Sequence, residues 1–232
     1  MLSKQPLQFY SEPLPGVDPA GLTGKLIVIE GPDAVGRSTQ VARLRRWLED
    51  QGHAVLDTGM ARSALASKGI SQAKQGNTLG PVTMTLFYAT DFADRLENEI
   101  IPALRAGFVV LTDRYIFSLM ARAIARGEDR NWIEKVAGFA LVPHSIYYLR
   151  ADVGHLVARV VIGRGAFDFW ESGMDVGLGP DRYESFIKYQ TLIIRALDRM
   201  ARRYRFEIVD AAQTPDAIFA ELQSSISKLF DA

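Results

Sequence analysis

The segment Gly31–Thr39 constrains this chain more than any other feature. It reads Gly31, Pro32, Asp33, Ala34, Val35, Gly36, Arg37, Ser38, Thr39, and fits G-x-x-x-x-G-K-[ST] except that Arg37 stands where the lysine belongs. Before it lies Lys25–Glu30, a β-branched run of the kind buried on both faces of a parallel sheet. From Ser38 onward Val41, Leu44, Trp47 and Leu48 recur at helical spacing, with Arg43, Arg45, Arg46, Glu49 and Asp50 on the other faces. Strand, glycine loop and helix in this order let backbone N–H groups turn inward around phosphate oxygens, and the helix N-terminus adds partial positive charge. Gly31, Asp33, Ala34, Val35, Gly36, Arg37, Ser38 and Thr39 are therefore candidate nucleotide-binding residues, with the Ser38 hydroxyl on Mg²⁺. Arg37 keeps the charge but offers a planar fork where a lysine offers a compact ammonium, so its contact with the β- and γ-phosphates must differ in geometry.

The rest of the chain continues the alternation. Residues 1–24 carry Pro6, Pro13, Pro15, Pro19, Gly16, Gly21 and Gly24, which predicts an arm or tail ahead of one domain over 25–232. Further strands are expected at Ala54–Leu56, Phe108–Thr112, His144–Leu149 and Phe206–Val209. Helices are expected at Pro81–Leu104, Phe117–Arg126, Trp132–Leu141, Asp152–Val161, Arg182–Tyr204 and Pro215–Leu229, with Asp152 as an N-cap. Thr58–Gly80 has no clear period and reads as loop or short helical pieces. Residues 163–180, with Gly163, Gly165, Gly173, Gly177, Gly179 and Pro180, read as a mobile lid. Such alternation predicts an α/β fold, a parallel sheet with helices on both faces.

Composition narrows the partners. The chain has 232 residues, 48% hydrophobic and 23% charged, as in an ordinary globular domain. Lys+Arg and Asp+Glu balance at 27 each, so nothing draws the whole molecule to nucleic acid or a membrane, and an anionic ligand must be held by a local cluster. A small phosphorylated substrate suits this better than a polymer. With no cysteine and with His53, His144 and His155 scattered, a structural zinc site is not expected. No apolar run suggests a membrane span and the N-terminus shows no leader pattern, so a cytoplasmic location is expected.

Two further signals carry chemistry. Asp113, Arg114 and Tyr115 lie at the C-terminal end of a strand, the edge where parallel sheets bind ligands. There an aspartate can hold a Mg²⁺ water and an arginine can clamp a phosphate. Arg159 and Arg164 enter the lid and Arg182 leaves it, and arginines on a flap reach a transferring phosphoryl group only when the flap closes.

Taken in order, Ile29 to Asp33, Arg37 to Gln40, Tyr88 to Asp91, Ile101 to Leu104, Gly107, and Asp113 to Ser118 resemble the thymidylate kinase family over most of residues 24–230. The resemblance implies a P-loop NTPase-type five-stranded parallel sheet with a lid, and the reaction ATP plus dTMP giving ADP plus dTDP. It implies that Asp33 contacts the acceptor sugar, that Tyr88 stacks on the base, and that Asp113 and Arg114 contribute Mg²⁺ and acceptor-phosphate contacts. A homodimer is implied too, with the helices carrying Phe87 and Leu119 as its expected interface.

Several positions depart from the family pattern. The arginine that follows the Asp91-like residue is Phe92 here, with Arg95 one helical turn on as a substitute from the same face. The Tyr-Gln pair of base recognition reads Arg122, Ala123, and the usual Arg-Glu-Pro-Gly stretch is replaced by Thr58–Ser63, where Arg62 is the candidate phosphate contact. The expected set is thus Arg37, Asp33, Asp113 and Arg164 for catalysis, and Arg62, Tyr88, Asp91, Arg95, Arg114, Tyr115 and Arg159 for the acceptor. Two rival readings use the same departures: a nucleotide-binding regulator that lost efficient transfer, and a kinase with a different acceptor.

Overall fold

In the computed structural model, which describes residues 7–76 and 79–230, five parallel strands form one sheet in the order β2-β3-β1-β4-β5. The strands are β1 Lys25–Glu30, β2 Val55–Gly59, β3 Val109–Asp113, β4 Ser145–Arg150 and β5 Glu207–Asp210. The helices are α1 Arg37–Asp50, α2 Ser67–Gly76, α3 Pro81–Arg95, α4 Ile101–Arg105, α5 Ile116–Ala125, α6 Arg130–Val136, α7 Val153–Gly163, α8 Arg182–Tyr204 and α9 Pro215–Ser227. Successive side chains of β1 point to opposite faces. Leu26 and Val28 enter one core with Val110, Ile146 and Tyr148, while Ile27 and Ile29 enter the other with Leu111, Tyr147 and Leu149. The first core is closed by α3, α5 and α8, the second by α1, α7 and α9. A strand buried on both faces needs apolar residues at every position, which is why β1 is a continuous run.

Register fixes where the loops emerge. Ile29 pairs with Asp113, and Asp113 with Gly59, so the Gly31 loop, the Asp113–Tyr115 turn and the Gly59–Ser63 turn leave the sheet side by side at its C-terminal edge. Buried Glu30 binds two of them together, accepting from Tyr115 N at 2.8 Å, Ser118 N at 3.2 Å and Ser118 Oγ at 2.6 Å. Burial pushes its carboxyl up, against the bonds from Ser118 and Tyr115.

Several local expectations are revised. The arm is packed rather than free over its described part: Leu7 and Leu22 are buried, Tyr10 N donates to Ala140 O at 2.9 Å, and Tyr10 meets Tyr204 edge-on at 5.4 Å. Residues 1–6, including Pro6, lie outside the described residues, as do 77–78 of the Thr58–Gly80 stretch and 231–232. That stretch contains the end of β2 and all of α2. The Pro81–Leu104 helix is interrupted by a π-helical turn, Leu96–Ile100, just before Pro102, whose missing N–H breaks the α-helical ladder. The helix expected at 132–141 is shorter, capped by Asp129 and ending at Val136. Gly138 then passes so near Ser11 that a Cβ there would stand 2.9 Å from the Ser11 Cβ. Asp152 caps α7 as expected, accepting from His155 N at 2.8 Å.

Candidate active site

Both glycines of the loop are demanded by their neighbours. A Cβ on Gly31 would lie 2.8 Å from Leu149 O, and one on Gly36, at φ 95°, would lie 2.9 Å from Arg159 Nη1. Four non-glycine residues among those described have positive φ, and three of them sit here: Ala34 at 63°, Ala61 at 61° and Arg114 at 72°. Each such conformation costs about 1–3 kcal/mol, held by the surrounding fold.

A cavity of about 370 Å³ opens over the loop, lined by Ala34–Thr39 together with Arg114, Arg159, Arg164 and Glu171. Arg37 lies on its floor with the guanidinium turned inward: Nε donates to Asp113 Oδ1 at 2.8 Å, and Nη1 donates to Gly31 O at 2.5 Å and also to Pro32 O. These acceptors at the strand edge occupy much of the fork. Arg159 lies within α7 rather than on the lid, and donates to Val35 O at 2.6 Å and Ala211 O at 2.7 Å. Arg164, at the end of α7, donates to Glu171 Oε2 at 2.6 Å with half its side chain exposed. Arg182 is exposed and donates to Phe167 O at 3.3 Å, and does not line this cavity.

Ser38 Oγ donates to Asp113 Oδ2 at 2.8 Å, which sets a hydroxyl beside a carboxylate at the mouth of the loop. Among the described residues no group of three or more His, Cys, Asp or Glu could hold a metal unaided. This sparse oxygen set fits Mg²⁺, which keeps several waters and takes further oxygens from phosphates. Burial raises the Asp113 carboxyl, but Arg37, Arg114 and Ser38 outweigh it and hold it below the ordinary range.

A second cavity of about 330 Å³ adjoins the first, and Arg114 and Glu171 line both. Its other walls include Asp33, Met60, Ala61, Lys74, Tyr88, Arg122 and Trp170. Asp33 is buried and accepts from Arg114, from Arg122 Nη2 at 2.8 Å and from Gln190 Nε2 at 3.0 Å. Burial alone would raise its carboxyl, but Arg122, Arg114 and Arg37 drive it far below the ordinary range, so it stays ionised. Arg114 is pushed down to about 10, first by burial and then by the Arg37 guanidinium. A buried guanidinium crowded by a like charge makes a ready seat for an anion.

Not every expected contact lines a cavity. Arg62 pairs with Asp57 at 2.9 Å and is 45% exposed, outside both cavities. Asp91 is fully buried, accepting from Ala61 N at 2.9 Å, Ser63 N at 2.8 Å and Arg95 Nε at 3.1 Å. The pair shapes the Gly59–Ser63 turn from beneath, because two free N–H groups and a buried carboxylate satisfy one another there. Tyr115 is also buried, with its hydroxyl on Leu141 O at 2.9 Å. Residues outside the expected set stand in their place: Lys74, Glu171, Trp170 and Gln190, with Arg122 from the base-recognition position. Gln190 donates to both Asp33 and Glu171 O, and so joins the loop, the 163–180 segment and α8.

Comparison with known proteins identifies the family. A family model described as thymidylate kinase matches residues 29–222. The chain is 34% identical to a probable thymidylate kinase 2 of Saccharolobus solfataricus over 181 residues, covering 78% of this chain and 84% of that protein. It is 32% identical to a thymidylate kinase of Clavibacter michiganensis over 219 residues, 91% of this chain and 98% of that one, and 31% identical to one of Bifidobacterium longum over 90% and 100% respectively. The P-loop between β1 and α1, the sheet order and the matched span together place this chain in the thymidylate kinase family.

Proposed function

We propose that the protein transfers the γ-phosphoryl group of ATP to dTMP, giving ADP and dTDP. The observation that carries this reading is the junction of the two cavities at Arg114 and Glu171: one is built from phosphate-binding backbone, the other from an aromatic ring and cations around Asp33. Catalysis in such a site is positioning and charge neutralisation. The backbone of residues 33–38 would hold the donor phosphates with Arg159, Arg114 would hold the acceptor phosphate, and Arg164 would reach the transferring group from the lid. Ser38 and Asp113 would hold Mg²⁺, which neutralises phosphate charge when bound. Asp33 orders Arg114 and Arg122 as well as facing the acceptor sugar. ADP release with ATP, Mg²⁺ and each common nucleoside monophosphate tests the reading; turnover highest with dTMP and lost in Asp113→Ala supports it, whereas binding without turnover on any acceptor overturns it.

The donor and acceptor are small molecules, and among the described residues no helix is long and apolar enough to cross a membrane. For the homodimer we propose the face around Leu65, Val82 and Leu86, which are 72%, 53% and 45% exposed. Of the two helices expected there, α3 carries Phe87, Val82 and Leu86, while on α5 Leu119 itself is buried. Sedimentation of the protein and of Leu86→Asp checks the face.

A further inference from the structure

Position 92 cannot read a base. The Phe92 ring is buried, edge-on to Tyr115 at 4.9 Å and tilted on Phe139 at 5.5 Å. Arg95 is no substitute either, since it is buried against Asp91 and Thr58. Yet the second cavity contains two cations from other elements. Lys74, from α2, has its ammonium 5.6 Å from the Tyr88 ring centroid and 5.9 Å from that of Trp170. It occupies the space over the Tyr88 face where a stacked base would lie. Arg122, from α5, is 16% exposed and bonds Asp33 through Nη2 alone; among the described residues its Nε and Nη1 have no acceptor.

Given the acceptor site proposed above, we infer that the acceptor base is read by Lys74 and Arg122, which select a pyrimidine with carbonyl oxygens on its edge over one bearing an amino group. Ammonium and guanidinium groups donate and never accept, so they satisfy the oxygens of thymine but leave the exocyclic amine of cytosine facing donors. A base stacking on Tyr88 moves the Lys74 ammonium from the ring face to the base edge. Arg122 stays tethered through Asp33, which aims its unused N–H groups. The hydroxyl of Tyr88 is already held below its ordinary range by Arg122 and Lys74 despite burial, in keeping with both cations facing it.

The test is calorimetric binding of dTMP and dCMP to the full chain and to Lys74→Met, Lys74→Arg and Arg122→Lys, with ADP release measured alongside. Arg122→Lys keeps a charge for Asp33 but loses the spare donors, and Lys74→Arg keeps the donor. The expected result is a dTMP-over-dCMP preference that falls about tenfold or more in Lys74→Met and Arg122→Lys, and is retained in Lys74→Arg. A preference unchanged in Lys74→Met or in Arg122→Lys overturns that residue's role. Because binding is read apart from turnover, a preference that depends on both residues without any ADP release would sink the kinase reading and leave base selection standing.

Discussion

Arg37 Nε donates to Asp113 Oδ1 at 2.8 Å, with both side chains less than a tenth exposed. A P-loop cation is thereby tied to the residue proposed to hold the metal. Nε and Nη1 are taken up by Asp113 and two carbonyls, and a lysine ammonium cannot reproduce that planar set. Arg37→Lys is expected to cost about 1–3 kcal/mol of stability, read from the urea midpoint. Its KM for ATP should stay within about threefold, under ~1 kcal/mol, because in the proposed site the backbone and Arg159 hold the phosphates. A tenfold rise in that KM with stability unchanged would mean that Arg37 swings out to the nucleotide.

Arg164 makes the opposite forecast. It is 51% exposed and pairs with Glu171, so solvent screens the pair and its loss should change stability by less than about 1 kcal/mol. In its proposed place facing a developing charge, however, one such donor contributes about 10²–10³ in kcat. Arg164→Ala should therefore lower kcat by that amount with its thermal midpoint nearly intact. A kcat within threefold of wild type would remove Arg164 from the transfer step.

The sheet, the loop and the Asp113–Tyr115 edge were legible because each rests on local pattern: a doubly buried strand, glycines at fixed spacing, a helical stripe. The parts not legible depend on contacts distant in sequence. Lys74 lies in α2, whose stretch shows no clear period, and only its approach to Tyr88 and Trp170 puts it at the site. Gln190 did leave a signal, a polar residue at a core position of α8 between Phe186 and Ile194. Arg122 likewise stands in a helix otherwise almost wholly apolar. Charge and position in sequence do not say that Arg62 pairs with Asp57 on β2.

Asp91 and Arg95 form a buried ion pair, which we expect to serve the fold. Their side chains are 0% and 2% exposed and bonded at 3.1 Å. Removing one partner of a buried pair leaves an uncompensated charge, which costs about 3–5 kcal/mol. Arg95→Met is expected to lose that much in urea denaturation. In the fraction that remains folded, KM for dTMP should change by less than about threefold, ~0.7 kcal/mol. A large KM effect in a variant of normal stability would restore Arg95 to the acceptor site.

His144 should make stability depend on pH. Its Nδ1 accepts from Leu26 N at 3.0 Å at the start of β1, which only an unprotonated nitrogen can do. Burial, then the Lys25 charge, lowers its pKa to about 4, against about 6.5 in an unfolded chain. Between those values the unfolded state binds the proton and the folded state does not. The stabilisation is therefore whole above about pH 6.5 and is lost as pH falls toward 4. Screening at this half-buried site reduces it to about 1–2 kcal/mol. His144→Asn, whose carbonyl can accept the same N–H without titrating, should flatten the difference in urea midpoint between about pH 7.5 and pH 5. Because Asp33 and Asp113 titrate below their ordinary range in both proteins, the difference between wild type and variant isolates the histidine. Equal slopes in the two proteins would show that β1 does not depend on that nitrogen.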